Sequence, residues 1–215
     1  MVRILLADDH DVVRRGLRDQ LNQHEGWEVC GEASNGREAV NLALKLKPDV
    51  VVLDLSMPEL NGLEATRQIR SELPRTEVLI FTMHETEQLI REVLSAGARG
   101  YVLKSDAARH LTSAVEALSH HKPFFTAKVS QALLDAFLNS EAKPDEGSAF
   151  RTLTNREREI VQMLAEGKSN KEIATTLSIS VKTVETHRAT VMRKLEINSI
   201  VELVHYAIRN QLVQA

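Results

Sequence analysis

Over its first 120 residues the chain alternates between two spacings of apolar positions. Short runs rich in β-branched and aliphatic residues occur at 2–7, 27–33, 49–54, 76–82 and 99–104. Between them, at about 11–24, 35–47, 62–73, 85–97 and 107–121, apolar residues recur at helical spacing, as in Ile90, Val93 and Leu94 or Leu111, Ala114, Val115 and Leu118. Continuous short runs fit buried strands, and the 3.6-residue period fits helices packed on one side. Five strand–helix units predict a five-stranded parallel sheet with helices on both faces. Right-handed crossovers favour a doubly wound, flavodoxin-like strand order 2-1-3-4-5, in which the first and third strands are neighbours.

Beyond residue 121 the pattern changes. Lys122-Pro123 ends the fifth helix, and Thr126 is placed to cap a further helix over 127–138 carrying Val129, Leu133, Leu134 and Phe137. Residues 139–150 are polar, contain Pro and Gly, and read as a linker. Three segments are therefore expected: an α/β domain over 1–121, a helix and linker over 122–147, and an all-α four-helix domain over 148–215. In the last, Thr154 and Glu157 form a capping box. Helix one carries Ile160, Val161 and Leu164 and ends at Gly167. A second helix starts at Asn170, and Ser178-Ile179-Ser180 separates it from a third running from Val181 to about Leu195. This helix–turn–helix, over about 170–189, is the arrangement that sets a recognition helix in a DNA major groove. A fourth helix, Ser199 to about Gln211, bears an apolar stripe wider than a small domain needs, which suits a dimer contact.

Charge patterning changes the picture at two places. The first strand ends in Asp8-Asp9 and the third in Asp54. Adjacent strands bring these carboxylates together at the C-terminal edge of the sheet, where open α/β sheets bind ligands. Three such groups repel one another unless a cation neutralises them, and a hard, oxygen-seeking Mg²⁺ is the natural candidate. Secondly, the net charge of −3 conceals an asymmetry: residues 1–150 hold 17 basic and 23 acidic side chains, while 151–215 hold 10 and 7. The basic tail suits a polyanion. Lys182, Thr183, Glu185, Thr186, His187, Arg188, Ala189 and Lys194 are the candidate DNA contacts on or beside the third helix. Cys30 is the lone cysteine, which excludes a disulfide framework or thiolate cluster. No run resembles a membrane span or signal peptide, so a cytoplasmic location is expected.

Together these segments make the chain resemble a two-component response regulator of the NarL/FixJ class, with a receiver domain followed by a LuxR-type helix-turn-helix domain. The resemblance rests on Leu6-Ala-Asp8-Asp9-His10, Asp54-Leu-Ser-Met-Pro58 with Asn61-Gly62, Thr82, and Gly97 through Lys104. In the second half it rests on Leu153-Thr-Asn-Arg-Glu157, Asn170-Lys-Glu-Ile-Ala174 and Ser180 through His187. It implies that Asp54 is the phosphoacceptor and that Mg²⁺ is held by Asp9, Asp54 and the Ser56 backbone carbonyl, with Asp8 acting through a coordinated water. It further implies that Lys104 pairs with the phosphoryl group and that Thr82 and Tyr101 are switch residues, Tyr101 filling space that Thr82 vacates. The implied partners are a sensor histidine kinase, promoter DNA and, once phosphorylated, a second copy of the chain. The protein would be a regulator and not a turnover enzyme.

Departures from the commoner pattern are Ser105 after Lys104, Met83 after Thr82, and Ser56 and His84 beside the acidic site. His10 and His84 read more simply as solvated loop residues than as metal ligands. An aspartyl-phosphate phosphatase would need a second acid two residues beyond Asp54, where serine stands. A receiver with a protein-binding tail would leave the basic third helix without a role.

Overall fold

In the computed structural model, residues 1–127, 129–131, 134, 153–210 and 212–213 are described. Most of the helix expected over 127–138 and all of the linker over 139–150 lie outside them. The chain divides into two compact units, with the main break between Lys143 and Pro144.

The first unit alternates strand and helix: β1 (Val2–Ala7), α1 (Asp11–Asn22), β2 (Trp27–Ala33), α2 (Gly36–Leu46), β3 (Val50–Leu53), α3 (Gly62–Glu72), β4 (Glu77–Thr82), α4 (Glu87–Ser95), β5 (Gly100–Leu103), α5 (Ala107–Ser119) and β6 (Phe124–Phe125). All strand pairs are parallel, in the order β2-β1-β3-β4-β5-β6. The expected order of five strands is present with a sixth at the edge. Phe124-Phe125 pairs with Gly100 and Tyr101. Two residues are too few to show a period, so only the position of α5 against the sheet brings this pair alongside β5.

Both sheet faces are covered, which explains why the central strands are apolar throughout. Ile4, Leu6, Val50, Val52, Leu79, Phe81 and Val102 pack with Leu17 and Leu21 of α1 and Leu111, Val115 and Leu118 of α5. The alternate residues Leu5, Val51, Leu53 and Ile80 are also buried and point to the other face. A Cβ on Gly31 would meet the side chains of Leu46 and Leu5, so β2 lies tightly against α2 there.

The second unit contains α6 (Asn155–Ala165), α7 (Asn170–Thr176), α8 (Val181–Lys194) and α9 (Ile200–Arg209). Each starts with a hydroxyl N-cap: Thr154, Ser169, Ser180 and Ser199. The first two are full capping boxes, with Glu157 and Glu172 closing back on the cap. The α7–α8 turn is tight because Ser178 takes a left-handed conformation (φ 53°), letting Ile179 N–H reach Ala174 O at 3.0 Å. Ile160, Val161, Ile173, Val184, Val191, Leu203 and Ala207 form the core.

Candidate functional site

The parallel register decides which side chains meet. Ala7 pairs with Leu53, so the next residues, Asp8 and Asp54, emerge side by side at the C-terminal edge of the sheet. The Asp54 N–H donates to Ala7 O at 2.8 Å. Thr82 pairs with Leu103, which sets Lys104 beside the same edge at the start of a 3₁₀ turn. Its Nζ lies 2.7 Å from Oδ2 of Asp54 and 2.7 Å from Oδ2 of Asp8.

Asp8 and Asp54 are buried, whereas Asp9 faces solvent. Ligand atoms of Asp8, Asp9, His10 and Asp54 all lie within 4.8 Å of one another. His10 Nδ1 sits 2.7 Å from Asp9 Oδ1, and the His10 N–H donates to Asp8 Oδ1 at 2.9 Å. Arg14 reaches back from α1 to the Asp8 carbonyl at 2.6 Å, steadying the loop that carries both acids. Burial pushes the Asp54 carboxyl above its ordinary value, against the opposing pull of Lys104. For Lys104, burial works against the charge, yet the hydrogen bonds and charges of Asp54 and Asp8 outweigh it and raise its pKa. Three carboxylates against one lysine leave an electronegative cluster of hard oxygen donors.

Asn61 caps α3 by accepting from Glu64 N–H, and Gly62 follows it. A Cβ at Gly62 would come within 2.0 Å of the Asp54 carbonyl oxygen. Glycine is needed there because two stretches of backbone touch, one of them carrying Asp54.

Thr82 and Tyr101 are both fully buried. Tyr101 lies inside, and its hydroxyl donates to the His84 carbonyl at 2.5 Å. Burial drives the phenol pKa well up, with Glu85 and Asp54 adding to the effect. His84, read from sequence as a solvated loop residue, is half-buried and lies 2.9 Å from Ser56 Oγ through Nε2.

On α8, Val184 and Val191 point into the core, and Lys182, Thr183, Glu185, Thr186 and Ala189 are exposed, while His187 and Arg188 are half-buried. Thr186 spends its hydroxyl proton on the Lys182 carbonyl. Lys194 differs from the others: its Nζ lies 2.8 Å from the buried Glu157 carboxylate. Its ammonium braces α8 against the capping box of α6.

Residues 4–116 match the response regulator receiver domain family, and residues 151–207 match the bacterial regulatory proteins of the luxR family. The chain belongs to the two-component response regulators. The oxygen regulatory protein NreC of Staphylococcus epidermidis is 40% identical over 218 residues, spanning 99% of this chain and 100% of its own. The transcriptional regulatory protein LiaR of Bacillus subtilis is 40% identical over 215 residues, covering 99% of this chain and 100% of its own. A structure of two RcsB dimers bound to two parallel DNAs is 30% identical, covers 95% of this chain and 96% of that one, and superposes with a TM-score of 0.58.

The response regulator thus carries its acidic cluster in the receiver half and an exposed α8 surface in a LuxR-type DNA-binding half. No helix among the described residues is long and apolar enough to cross a membrane. Sequence reading missed the reach of Arg14 to the Asp8 carbonyl and of His84 to Ser56, contacts that no helical or strand period places. The Ser169-x-x-Glu172 capping box was legible from its motif and went unread.

Proposed function

We propose that Asp54 accepts a phosphoryl group from a histidine of a sensor kinase, and that the modified chain dimerises and binds promoter DNA through α8. The observation that carries this reading is the Lys104 ammonium held between the buried carboxylates of Asp8 and Asp54. In the transfer, an Asp54 oxygen attacks phosphorus, the P–N bond to the donor imidazole breaks, and the released imidazole takes up a proton. Such a reaction asks the protein for positioning and charge neutralisation more than for covalent help. Lys104 pairs with the transferred group, and the Thr82 hydroxyl donates to it.

The donor set fits Mg²⁺. It is all oxygen apart from His10, and the buried carboxylates of Asp8 and Asp54 share the single Lys104 ammonium. Asp9, Asp54 and the Ser56 carbonyl would hold the ion, with Asp8 acting through water. Bound there, it would neutralise charge on the phosphoryl oxygens. Asp9 lies on the solvent side of the site, and Asp8 and Asp54 form its buried side.

The proposed division is 1–121 for the receiver, 122–147 for the connection and 148–215 for the DNA-binding domain, in a cytoplasmic protein. Lys182, Thr183, Glu185, Thr186, His187, Arg188 and Ala189 are the proposed DNA contacts. Support for DNA and a dimer comes from the RcsB assembly, and support for α8 from its exposed polar face. Incubation with acetyl phosphate and Mg²⁺ tests the reading: wild type takes up phosphate at Asp54 and Asp54→Asn takes up none. Undiminished uptake by the variant overturns it.

A further inference from the structure

The exposed face of α8 carries a single acid, Glu185, and no described residue engages it. Lys182, Glu185, Thr186 and Ala189 share one exposed strip, at the i, i+3, i+4, i+7 spacing of a single helix face. Lys182 and Arg188 each stand three residues from Glu185, a spacing at which helical side chains pair, yet Glu185 makes no hydrogen bond or ion pair with any described residue. Elsewhere in the unit such groups are occupied: Glu157 and Glu172 close capping boxes, and Glu202 accepts from Asn198 N–H. The cap of α8 is served by Ser180, which accepts from Thr183 N–H. Glu185, the fifth residue, stands past the first turn, the part of a helix whose dipole favours a carboxylate.

We infer that Glu185 is a specificity-determining residue whose carboxylate accepts a hydrogen bond from the exocyclic amine of a cytosine in the major groove. The inference rests on the proposed binding of DNA by α8. The N-terminal residues of such a helix meet base edges. Thr186 donates its hydroxyl proton to Lys182 O at 2.9 Å, and Thr190 donates to Thr186 O at 2.9 Å, so neither proton is offered to a base. Ala189, four residues beyond Glu185, is small and lets the helix face come close to base edges. In the major groove only cytosine N4 and adenine N6 are donors. Adenine also presents the N7 acceptor beside its amine, which repels a carboxylate, whereas cytosine presents N4 alone. The guanine paired with it shows two acceptors, O6 and N7, of the kind the Lys182 ammonium serves. Phosphates repel the same carboxylate on every sequence, and only a donor on a base offsets that repulsion. Glu185 therefore lowers affinity for DNA in general and sharpens the choice of site.

The test uses the full-length chain, incubated with acetyl phosphate and Mg²⁺, to select sites from a library of randomised DNA duplexes. Affinities are then measured on the selected duplex and on copies with single base pairs replaced. For wild type, replacing one C·G pair of the selected site should weaken binding by roughly tenfold. Glu185→Ala should bind all four pairs at that position alike, bind unselected duplexes more tightly than wild type does, and keep wild-type preferences elsewhere in the site. Its log–log salt slope should be unchanged, because no phosphate contact is lost. Glu185→Gln, whose amide matches adenine N6 and N7, should shift the preferred pair at that position to A·T. Glu185 is exposed, so thermal unfolding of both variants should match wild type. Undiminished choice of C·G by Glu185→Ala overturns the inference, as does a loss of affinity shared equally by all sequences. Failure of wild type to bind any duplex overturns the proposed DNA binding as well, so the two readings fail in different ways.

Discussion

Lys104 Nζ lies 2.7 Å from Oδ2 of Asp54, although 50 residues separate them in sequence. The same nitrogen contacts Asp8, so one cation offsets two buried carboxylates. Removing it leaves charge buried without compensation, whereas breaking an exposed pair costs little. Lys104→Ala should therefore lower stability by about 3 kcal/mol at neutral pH. Urea unfolding with and without Mg²⁺ checks this, and the variant should gain more from the ion than wild type does. Equal stability would show that the carboxylates are relieved by other means.

Gly62→Ala would force a methyl group toward the Asp54 carbonyl, which is backbone and cannot swing aside. A cost of about 1–3 kcal/mol is expected, as for overpacking elsewhere. Displacement of the Asp54 loop should also slow phosphate uptake. Gly16→Ala is the control, since nothing lies within 4 Å of a Cβ there. The two variants should separate clearly in denaturant midpoint and labelling rate.

Glu157 gives the helical unit a pH dependence. Burial alone would raise its pKa, but Lys194 and the Thr154 N–H and hydroxyl outweigh burial and hold it below the ordinary value of 4.5. A lowered folded-state pKa means stability that is present above 4.5 and is lost as pH falls through the lower, folded value. Exchange protection over Asn155–Ala165 should decline across that acidic range in wild type. In Glu157→Gln the decline should be shallower.

Lys182 and Lys194 should respond differently to removal. Lys182 is exposed on α8, so Lys182→Ala should weaken DNA binding and lower the log–log salt slope by about 1. Lys194 is engaged with Glu157, so Lys194→Ala should destabilise the unit with little change in slope. Binding titrations over a range of salt, paired with thermal unfolding, distinguish the two. Equal slopes for both variants would contradict this division of roles.

The alternation of buried runs and amphipathic stretches made the sheet, its five main strands and their order legible, because each strand and helix shows its own period. Asp8, Asp9 and Asp54 were legible as a cluster because strand ends and register follow from the same pattern. Two phenylalanines forming β6 were not, since their strand exists only by pairing with β5. Lys194 looked like any basic residue on an exposed helix until its partner 37 residues earlier was in view. His84 was read as solvated for the same reason.

By itself, then, the sequence determined the two-part architecture, the acidic strand ends, the helix caps and the helix–turn–helix. These depend on local period and on motifs within a few residues, where the chain needs no distant partner. Tertiary structure alone decided that Tyr101 is fully buried, that Gly62 touches the Asp54 backbone, and that His84 joins Ser56, Thr82 and Tyr101. Those relations link residues far apart in sequence, and packing fixes the distance and direction of each hydrogen bond in a way no spacing rule encodes.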